Sequence, residues 1–181
     1  MKNKAHLTHY IFLITCLLLV SIQQIHAQDN KIFELKSESG IHGSTTSKNT
    51  NDNDGNDDDD DNIIPYQLLY SLKPTIYIKN NSIIKVTGPN KPVSLTTSDA
   101  NSFNILKTEN PLFDSVQILK IQLNDLSDLN NYLDVSSING FNNLKHIYIM
   151  CYFKCTENQI RAFIKNANPE INIYFEQVNP S

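Results

Sequence analysis

The chain has 181 residues, a formal net charge of −4 and no tryptophan. Residues 1–62 hold a candidate targeting segment and a polar stretch, which leaves residues 63–181 for a single folded domain and excludes two independent ones. That unit is nearly neutral, with ten basic and nine acidic residues. We therefore expect no nucleic-acid partner, because electrostatic binding of phosphates needs a basic face.

Residues 1–27 have the three parts of a secretory signal peptide. Lys2 and Lys4 precede an apolar run at residues 10–22, and Ala27 ends the segment with a small side chain. The run is shorter than the roughly 20 apolar residues that span a bilayer; an uncleaved N-terminal anchor is the alternative. We expect cleavage after Ala27, no stable membrane insertion afterwards, and an extracytoplasmic protein that is periplasmic or secreted.

Residues 28–62 are predicted to be a disordered acidic linker. Seven aspartates lie between residues 52 and 61, and few apolar side chains are available to offset the entropy of ordering. Asp52, Asp54 and Gly55 resemble the start of an EF-hand calcium loop, but Thr50 stands where that loop has its first aspartate. No amphipathic helix flanks the run, so a solvated spacer is preferred to a specific calcium site.

The domain begins with a predicted β-hairpin. Residues 75–79 and 82–86 alternate in the manner of strands, and Asn80-Asn81 between them is typical of a tight turn. Gly88-Pro89 ends the pattern. A hairpin here would cap the open edge of a larger sheet.

Strand and helix patterns then alternate at a nearly constant period of about 28 residues. Strands are predicted at 116–123, 144–151 and 171–175, and helices at 99–107, 125–133 and 157–167. The last helix has a capping-box pair, Thr156 and Gln159, and Asn168-Pro169 is expected to end it. Such alternation favours a parallel sheet with helices on one side.

The best copy of this repeat reads Val116-x-x-Leu119-x-Ile121-x-x-Asn124-x-Leu126. It resembles the leucine-rich-repeat motif L-x-x-L-x-L-x-x-N-x-L. In that arrangement the apolar positions face the core, and the asparagine satisfies backbone groups where the chain leaves the sheet.

The resemblance implies an α/β fold: a short leucine-rich-repeat-like stack of three helix–strand units with parallel strands, preceded by the β-hairpin. The later copies depart from the motif, with Tyr152 and Glu176 in the asparagine position. An ordinary small α/β sandwich with parallel strands is the alternative.

Cysteine and histidine chemistry is sparse. Cys151 and Cys155 are predicted to form a local disulfide in an oxidising compartment; two free thiols or a redox pair are the alternatives, although the spacing is not C-x-x-C. Only His42 and His146 remain as other soft ligands in the mature chain, so no metal is expected. Hydrolase and phosphate-loop motifs are absent from the sequence, and we expect no cofactor and no enzymatic activity.

These observations predict a protein-interaction module that binds a protein partner through the open face of its sheet. The mixture of tyrosine, methionine and polar side chains on that face suits a protein contact. A small extracytoplasmic enzyme with a scattered site, or a cell-surface structural protein with an acidic spacer, are the alternatives. The predicted face consists of eight alternate strand residues: Ile118, Lys120, Gln122, His146, Tyr148, Met150, Asn172 and Tyr174.

Overall fold

A seven-stranded sheet organises the residues that the computed structural model describes, which are 30–35 and 64–178. In chain order the strands are β1 Ile32–Leu35, β2 Thr75–Lys79, β3 Ser82–Val86, β4 Ser94–Thr97, β5 Ile118–Leu123, β6 Leu133–Asp134, β7 His146–Cys151, β8 Ile164–Lys165 and β9 Asn172–Gln177. The sheet has the order β1-β9-β7-β5-β4-β2-β3, and β6 pairs with β8 in a separate two-stranded sheet.

The fold is α/β with a mostly parallel sheet. Every neighbouring pair in the large sheet is parallel except β2 and β3, which are antiparallel, so the sheet is mixed. The predicted class is therefore confirmed at this level, while the stack of three helix–strand units is not.

Helical structure is shorter than the sequence predicted. The α-helices are α1 Tyr66–Tyr70 and α2 Glu157–Phe163; the 3-10 helices are Ala100–Lys107, Pro111–Phe113, Leu126–Asn130 and Val135–Ser137. The predicted helices at 99–107 and 125–133 are thus 3-10 helices. Both segments contain several asparagine, serine and aspartate residues, whose side chains favour local bonds over α-helix propagation.

The helix predicted at 157–167 is right at its start and wrong at its end. Thr156 and Gln159 form the predicted capping box. The helix stops at Phe163 because Ile164 and Lys165 become extended and pair with β6, well before Asn168-Pro169.

The main core lies between the sheet and the helical side of the molecule. Leu119, Ile121 and Leu123 of β5 are fully buried in it, as predicted. Phe103 and Phe163 meet in this core with ring centroids 5.9 Å apart. Asn124 donates from Nδ2 to the backbone oxygen of Ser98, 3.2 Å away, just after β4, which is the kind of backbone contact the sequence assigned to it.

The β-hairpin is confirmed at its predicted bounds. Asn80 and Asn81 have φ of 50° and 55°, the left-handed conformation that a type I′ turn requires and that asparagine tolerates. β3 forms one edge of the sheet, as the capping prediction required. An additional strand, β4, and helix α1 were not predicted.

The opposite edge corrects the predicted linker. Ile32–Leu35 was assigned to the disordered segment 28–62, but it forms β1 and pairs in parallel with β9. Its alternation is only four residues long, which is too short to stand out beside a polar tail. The predicted signal peptide, residues 1–27, and the aspartate run at 52–61 lie outside the described residues.

Candidate binding face

The face of the sheet opposite the main core, called the outer face here, carries all eight residues predicted for binding. Cross-strand register places Lys120, Tyr148 and Tyr174 side by side in one row, and Phe33 of β1 continues it. Neighbours in register share a face of the sheet. The sequence therefore grouped these residues correctly.

Part of this face is nevertheless covered, so the prediction of an open surface is wrong there. Helix α1 packs on it through Leu69, which is 3% exposed. Ile118, Tyr148 and Tyr174 are 0%, 3% and 3% exposed beneath it. We call this region, on β1, β9, β7 and β5, the covered half. Its apolar cluster consists of Leu35, Leu69, Ile118, Tyr148 and Tyr174, with Phe33, Ile64, Leu68 and Met150 partly buried against it.

A shared carboxylate joins the helix to the sheet. Tyr70 of α1 donates its hydroxyl to Oε2 of Glu176 at 2.9 Å, and Tyr148 of β7 donates to the same oxygen. The rings of Tyr70 and Tyr148 also meet edge to face, with centroids 6.1 Å apart. Glu176, which in the sequence is recognisable only as a departure from the repeat motif, thus anchors α1.

Burial sets the protonation of both phenols. It raises the pKa of Tyr70 to about 12, and the hydrogen bond to Glu176 adds to that effect. Burial, followed by the same hydrogen bond, raises the pKa of Tyr148 still further above its ordinary value. Both hydroxyls therefore stay protonated and remain donors throughout the neutral range.

Lys120 lies at the border of the covered half and also forms a hydrogen bond to helix α1. Its Nζ donates to the backbone oxygen of Leu69 at 2.5 Å, so it satisfies a carbonyl of the short helix α1. Burial lowers the pKa of Lys120. The ammonium group of Lys120 is thus hydrogen-bonded within the protein and is not freely exposed to a binding partner.

The other predicted residues lie around the covered half and are partly exposed. They are His146 and Asn172 at one end of their strands, and Gln122 and Met150 near the other. The ring of His146 lies 5.8 Å from that of Tyr174, and its Nδ1 is buried without a hydrogen-bond partner. Burial, with a smaller contribution from Lys145, lowers the pKa of His146.

The rest of the outer face is formed by β4, β2 and β3, and we call it the hairpin half. Tyr77 lies in register with Thr96 and Lys85, and Lys79 follows two positions later on the same face. Lys79 and Lys85 are exposed and Tyr77 is partly exposed. The apolar cluster under α1 includes no described residue of these three strands.

Positive charge accumulates in this part of the chain. Residues 64–98 contain four lysines, at positions 73, 79, 85 and 91, and no aspartate or glutamate. None of the four forms an ion pair with another described residue. The net charge of residues 63–181 conceals this feature because the acidic residues of that range all lie after residue 98. The six-residue spacing of the four lysines is the sequence signal that indicates it.

Cys151 and Cys155 are both buried free thiols. The predicted disulfide is therefore not formed in this structure. The two thiols are hydrogen-bonded to each other, and burial raises the pKa of each. A protonated, buried thiol reacts slowly with oxidants, because the thiolate is the nucleophile.

The described residues offer few of the other features that would assign a function. Residues 30–35 and 64–178 contain no group of three histidine, cysteine or acidic side chains placed to hold a metal ion. In the same ranges no helix has the length and apolar character needed to cross a membrane.

Comparison with known proteins does not assign a function either. No protein-family model matches the chain, and no curated protein or solved structure shows significant similarity to it.

Proposed function

We propose that this chain is an extracytoplasmic, non-catalytic protein-interaction module that binds an acidic segment of a partner protein through the hairpin half of its outer face. The observation that carries the proposal is that Lys79 and Lys85 lie exposed beside the partly exposed Tyr77, and that neither lysine forms an ion pair with another described residue. The extracytoplasmic location rests on the composition of residues 1–27 alone.

The chemistry of the hairpin half suits such a partner. Exposed ammonium groups attract an acidic segment over a distance of about one Debye length and speed its association. Tyr77 offers an aromatic contact at the centre, between Thr96 and Lys85 in register. Aromatic residues are enriched where protein interfaces are energetically important.

The covered half has another role in this proposal. Its aromatic side chains are already packed beneath α1, and its charged groups Lys120 and Glu176 are already hydrogen-bonded. It holds the sheet in a defined shape and leaves the neighbouring half free for a partner.

We also propose that the domain is related to leucine-rich-repeat proteins. The support is the motif around Asn124 and the hydrogen bond from its side chain to the backbone of Ser98. This proposal concerns ancestry and does not affect the choice of binding surface.

A fluorescently labelled, glutamate-rich peptide tests the binding proposal directly. We expect the full chain to raise the anisotropy of this peptide at ~20 mM salt and to lose most of that binding at ~300 mM, because salt screens exposed charges. The double variant Lys79→Glu, Lys85→Glu should abolish binding without changing the far-UV circular dichroism spectrum.

Lys154→Glu is the matched control, since Lys154 is an exposed lysine outside the hairpin half. Equal loss of binding in this control and in the double variant would overturn the proposed surface. Equally tight binding of a DNA duplex would overturn the choice of a protein partner, and no binding to the peptide would overturn the proposal as a whole.

A further inference from the structure

A polar groove lies on the helical side of the molecule, away from the outer face. It runs between the 3-10 helix Ala100–Lys107 and the residues that follow the 3-10 helix Leu126–Asn130, and it encloses about 270 Å³. The helices follow β4 and β5, which are neighbours in the sheet, so the two walls of the groove are positioned by adjacent parallel strands.

The first wall follows from the three-residue period of a 3-10 helix. Phe103 and Leu106 face the main core, where they are 7% and 0% exposed. Ala100 faces the core in the same way, at 2% exposed. Each of these three residues is followed directly by a residue that lines the groove: Asn101, Asn104 and Lys107. The helix thus presents a polar stripe directly behind its apolar stripe.

The second wall is a short run of consecutive residues. Asn130, Asn131 and Tyr132 line the groove where the chain leaves its 3-10 helix. Asn131 donates from Nδ2 to Oδ1 of Asn101 at 3.3 Å, so a side-chain hydrogen bond joins the two walls. The ring of Tyr132 is accessible, since this residue is 59% exposed.

These side chains define the chemistry of a ligand. Each asparagine amide supplies two donors and one acceptor, so the groove suits a molecule that donates and accepts at several points. Lys107 is the only charged residue in the lining, and it is positive. The ring of Tyr132 lines the groove and could pack against an apolar surface of a ligand. A sugar ring with a carboxylate group matches these side chains. Its hydroxyl groups suit the asparagine amides, its carboxylate suits Lys107, and its C–H face suits the ring of Tyr132.

We propose that this groove binds an acidic sugar, namely a hexuronate ring of a glycan. The asparagine amides bond its hydroxyl groups, Lys107 pairs with its carboxylate, and Tyr132 packs on its C–H face. The volume of about 270 Å³ lies just below the roughly 300–1,000 Å³ of drug-sized pockets, so the groove takes one ring and its neighbours extend into solvent. This site is separate from the hairpin half and does not depend on the function proposed for it.

The test is a calorimetric titration of the full chain with a short oligomer of galacturonic acid, with the neutral galactose oligomer of equal length as comparison. We expect the acidic oligomer to bind about two- to fivefold more tightly, as expected for one charge pair with an exposed lysine. Tyr132→Ala should weaken its binding about tenfold, as expected for one lost aromatic contact. Lys107→Gln should remove the preference for the acidic oligomer and retain binding of the neutral one.

Tyr152→Ala is the matched control, because Tyr152 is an exposed tyrosine outside the groove and is 39% exposed. All variants should keep the wild-type melting temperature, since the replaced side chains are exposed. Lack of binding by the wild type to either oligomer would overturn the proposal. If Tyr132→Ala and Lys107→Gln bind the acidic oligomer as the wild type does, the groove is not the binding site. The same follows if Tyr152→Ala loses as much affinity as Tyr132→Ala.

Discussion

The covered half and the hairpin half belong to one face of one sheet, yet they are stabilised by different means. A single row of side chains in register crosses both, from Tyr77 and Thr96 through Lys120 to Tyr148 and Tyr174. At one end of the row the aromatic rings are buried under α1; at the other end Thr96 is buried, Tyr77 is partly exposed and Lys85 is exposed. The exposed end of the row is therefore Lys85 of β3, the strand farthest from the covered half.

The difference also concerns the backbone. The covered half depends on side-chain burial and on the bonds from Tyr70 and Tyr148 to Glu176. The hairpin half depends on turns, namely Asn80-Asn81 and the close approach of Gly88 to Pro74, which a Cβ on Gly88 would meet at 2.9 Å.

The largest effect is expected from truncation of a ring in the covered half. Tyr148→Ala should lower the free energy of unfolding by about 3–5 kcal/mol, because it leaves a cavity beneath α1. Thr96→Ala, two strands away in the same row, should cost less, about 1–2 kcal/mol, because it removes a much smaller buried side chain. Urea unfolding of both variants measures this, and similar losses in the two would refute the division of the outer face.

Tyr148→Ala therefore cannot serve as a simple probe of binding. Its side chain is 3% exposed, so a lost interaction in this variant reports on the fold before it reports on a contact. The lysine variants of the hairpin half avoid that difficulty because their side chains are exposed.

A somewhat smaller loss of stability is expected from a substitution at Gly88, in the turn after β3. Gly88 has φ of +85°, and its Cβ position is occupied by Pro74. Gly88→Ala should cost about 1–3 kcal/mol through the left-handed backbone and the contact with the proline ring. Thermal unfolding measures the loss. Gly140→Ala, also at positive φ but with its nearest atom at 3.3 Å, should cost less; the reverse order would contradict the account.

Removing the phenol hydroxyls should have an effect of similar size, which depends on pH. The pKa of Tyr70 and that of Tyr148 are raised above the value in the unfolded chain, about 10. Their contribution to stability is thus complete below pH ~10 and is lost as the pH rises through the folded-state values. We expect the wild type to lose stability between pH ~10 and pH ~12.

The double variant Tyr70→Phe, Tyr148→Phe checks this origin. It should be about 1–3 kcal/mol less stable than the wild type at neutral pH and should lose less on going to alkaline pH. An alkaline loss as steep as that of the wild type would show that other groups are responsible.

The smallest effect is expected from His146. Its pKa is lowered in the folded protein, so the unfolded chain binds more protons as the pH falls through about 6.5. The stability that neutral His146 contributes is therefore present above that pH and is lost below it. His146→Gln should flatten the decrease in melting temperature between pH ~7 and pH ~5, and an unchanged profile would contradict the assignment.

Much of the sheet could be predicted because its strands carry strong local patterns. The strands predicted at 116–123 and 144–151 alternate clearly and end where predicted, although each begins two residues later, at Ile118 and His146. The hairpin was placed correctly because Asn80-Asn81 is typical of a tight turn. β4 was missed because Ser94–Thr97 has a single large apolar side chain. β1 was missed because its four residues are recognisable only when β9 lies beside them.

The binding face could be predicted only in part. Alternation grouped the outward side chains correctly, but no local pattern shows that residues 66–70 fold back over them; this requires the tertiary fit of Leu69 among Ile118, Tyr148 and Tyr174. The lysines of the hairpin half are evident in the sequence. That Lys79 and Lys85 lie on the same face of the sheet follows only from the register of β2 and β3.

Oxidative labelling of tyrosine side chains, with and without the glutamate-rich peptide, tests the central claim most directly. Without peptide, Tyr77 should be labelled readily and Tyr148 and Tyr174 slowly; with peptide, Tyr77 should become protected while Tyr66 and Tyr70 of α1 keep their rates. Labelling of Tyr148 as fast as Tyr77 in the folded protein, or protection that falls on α1 and spares Tyr77, would contradict the account.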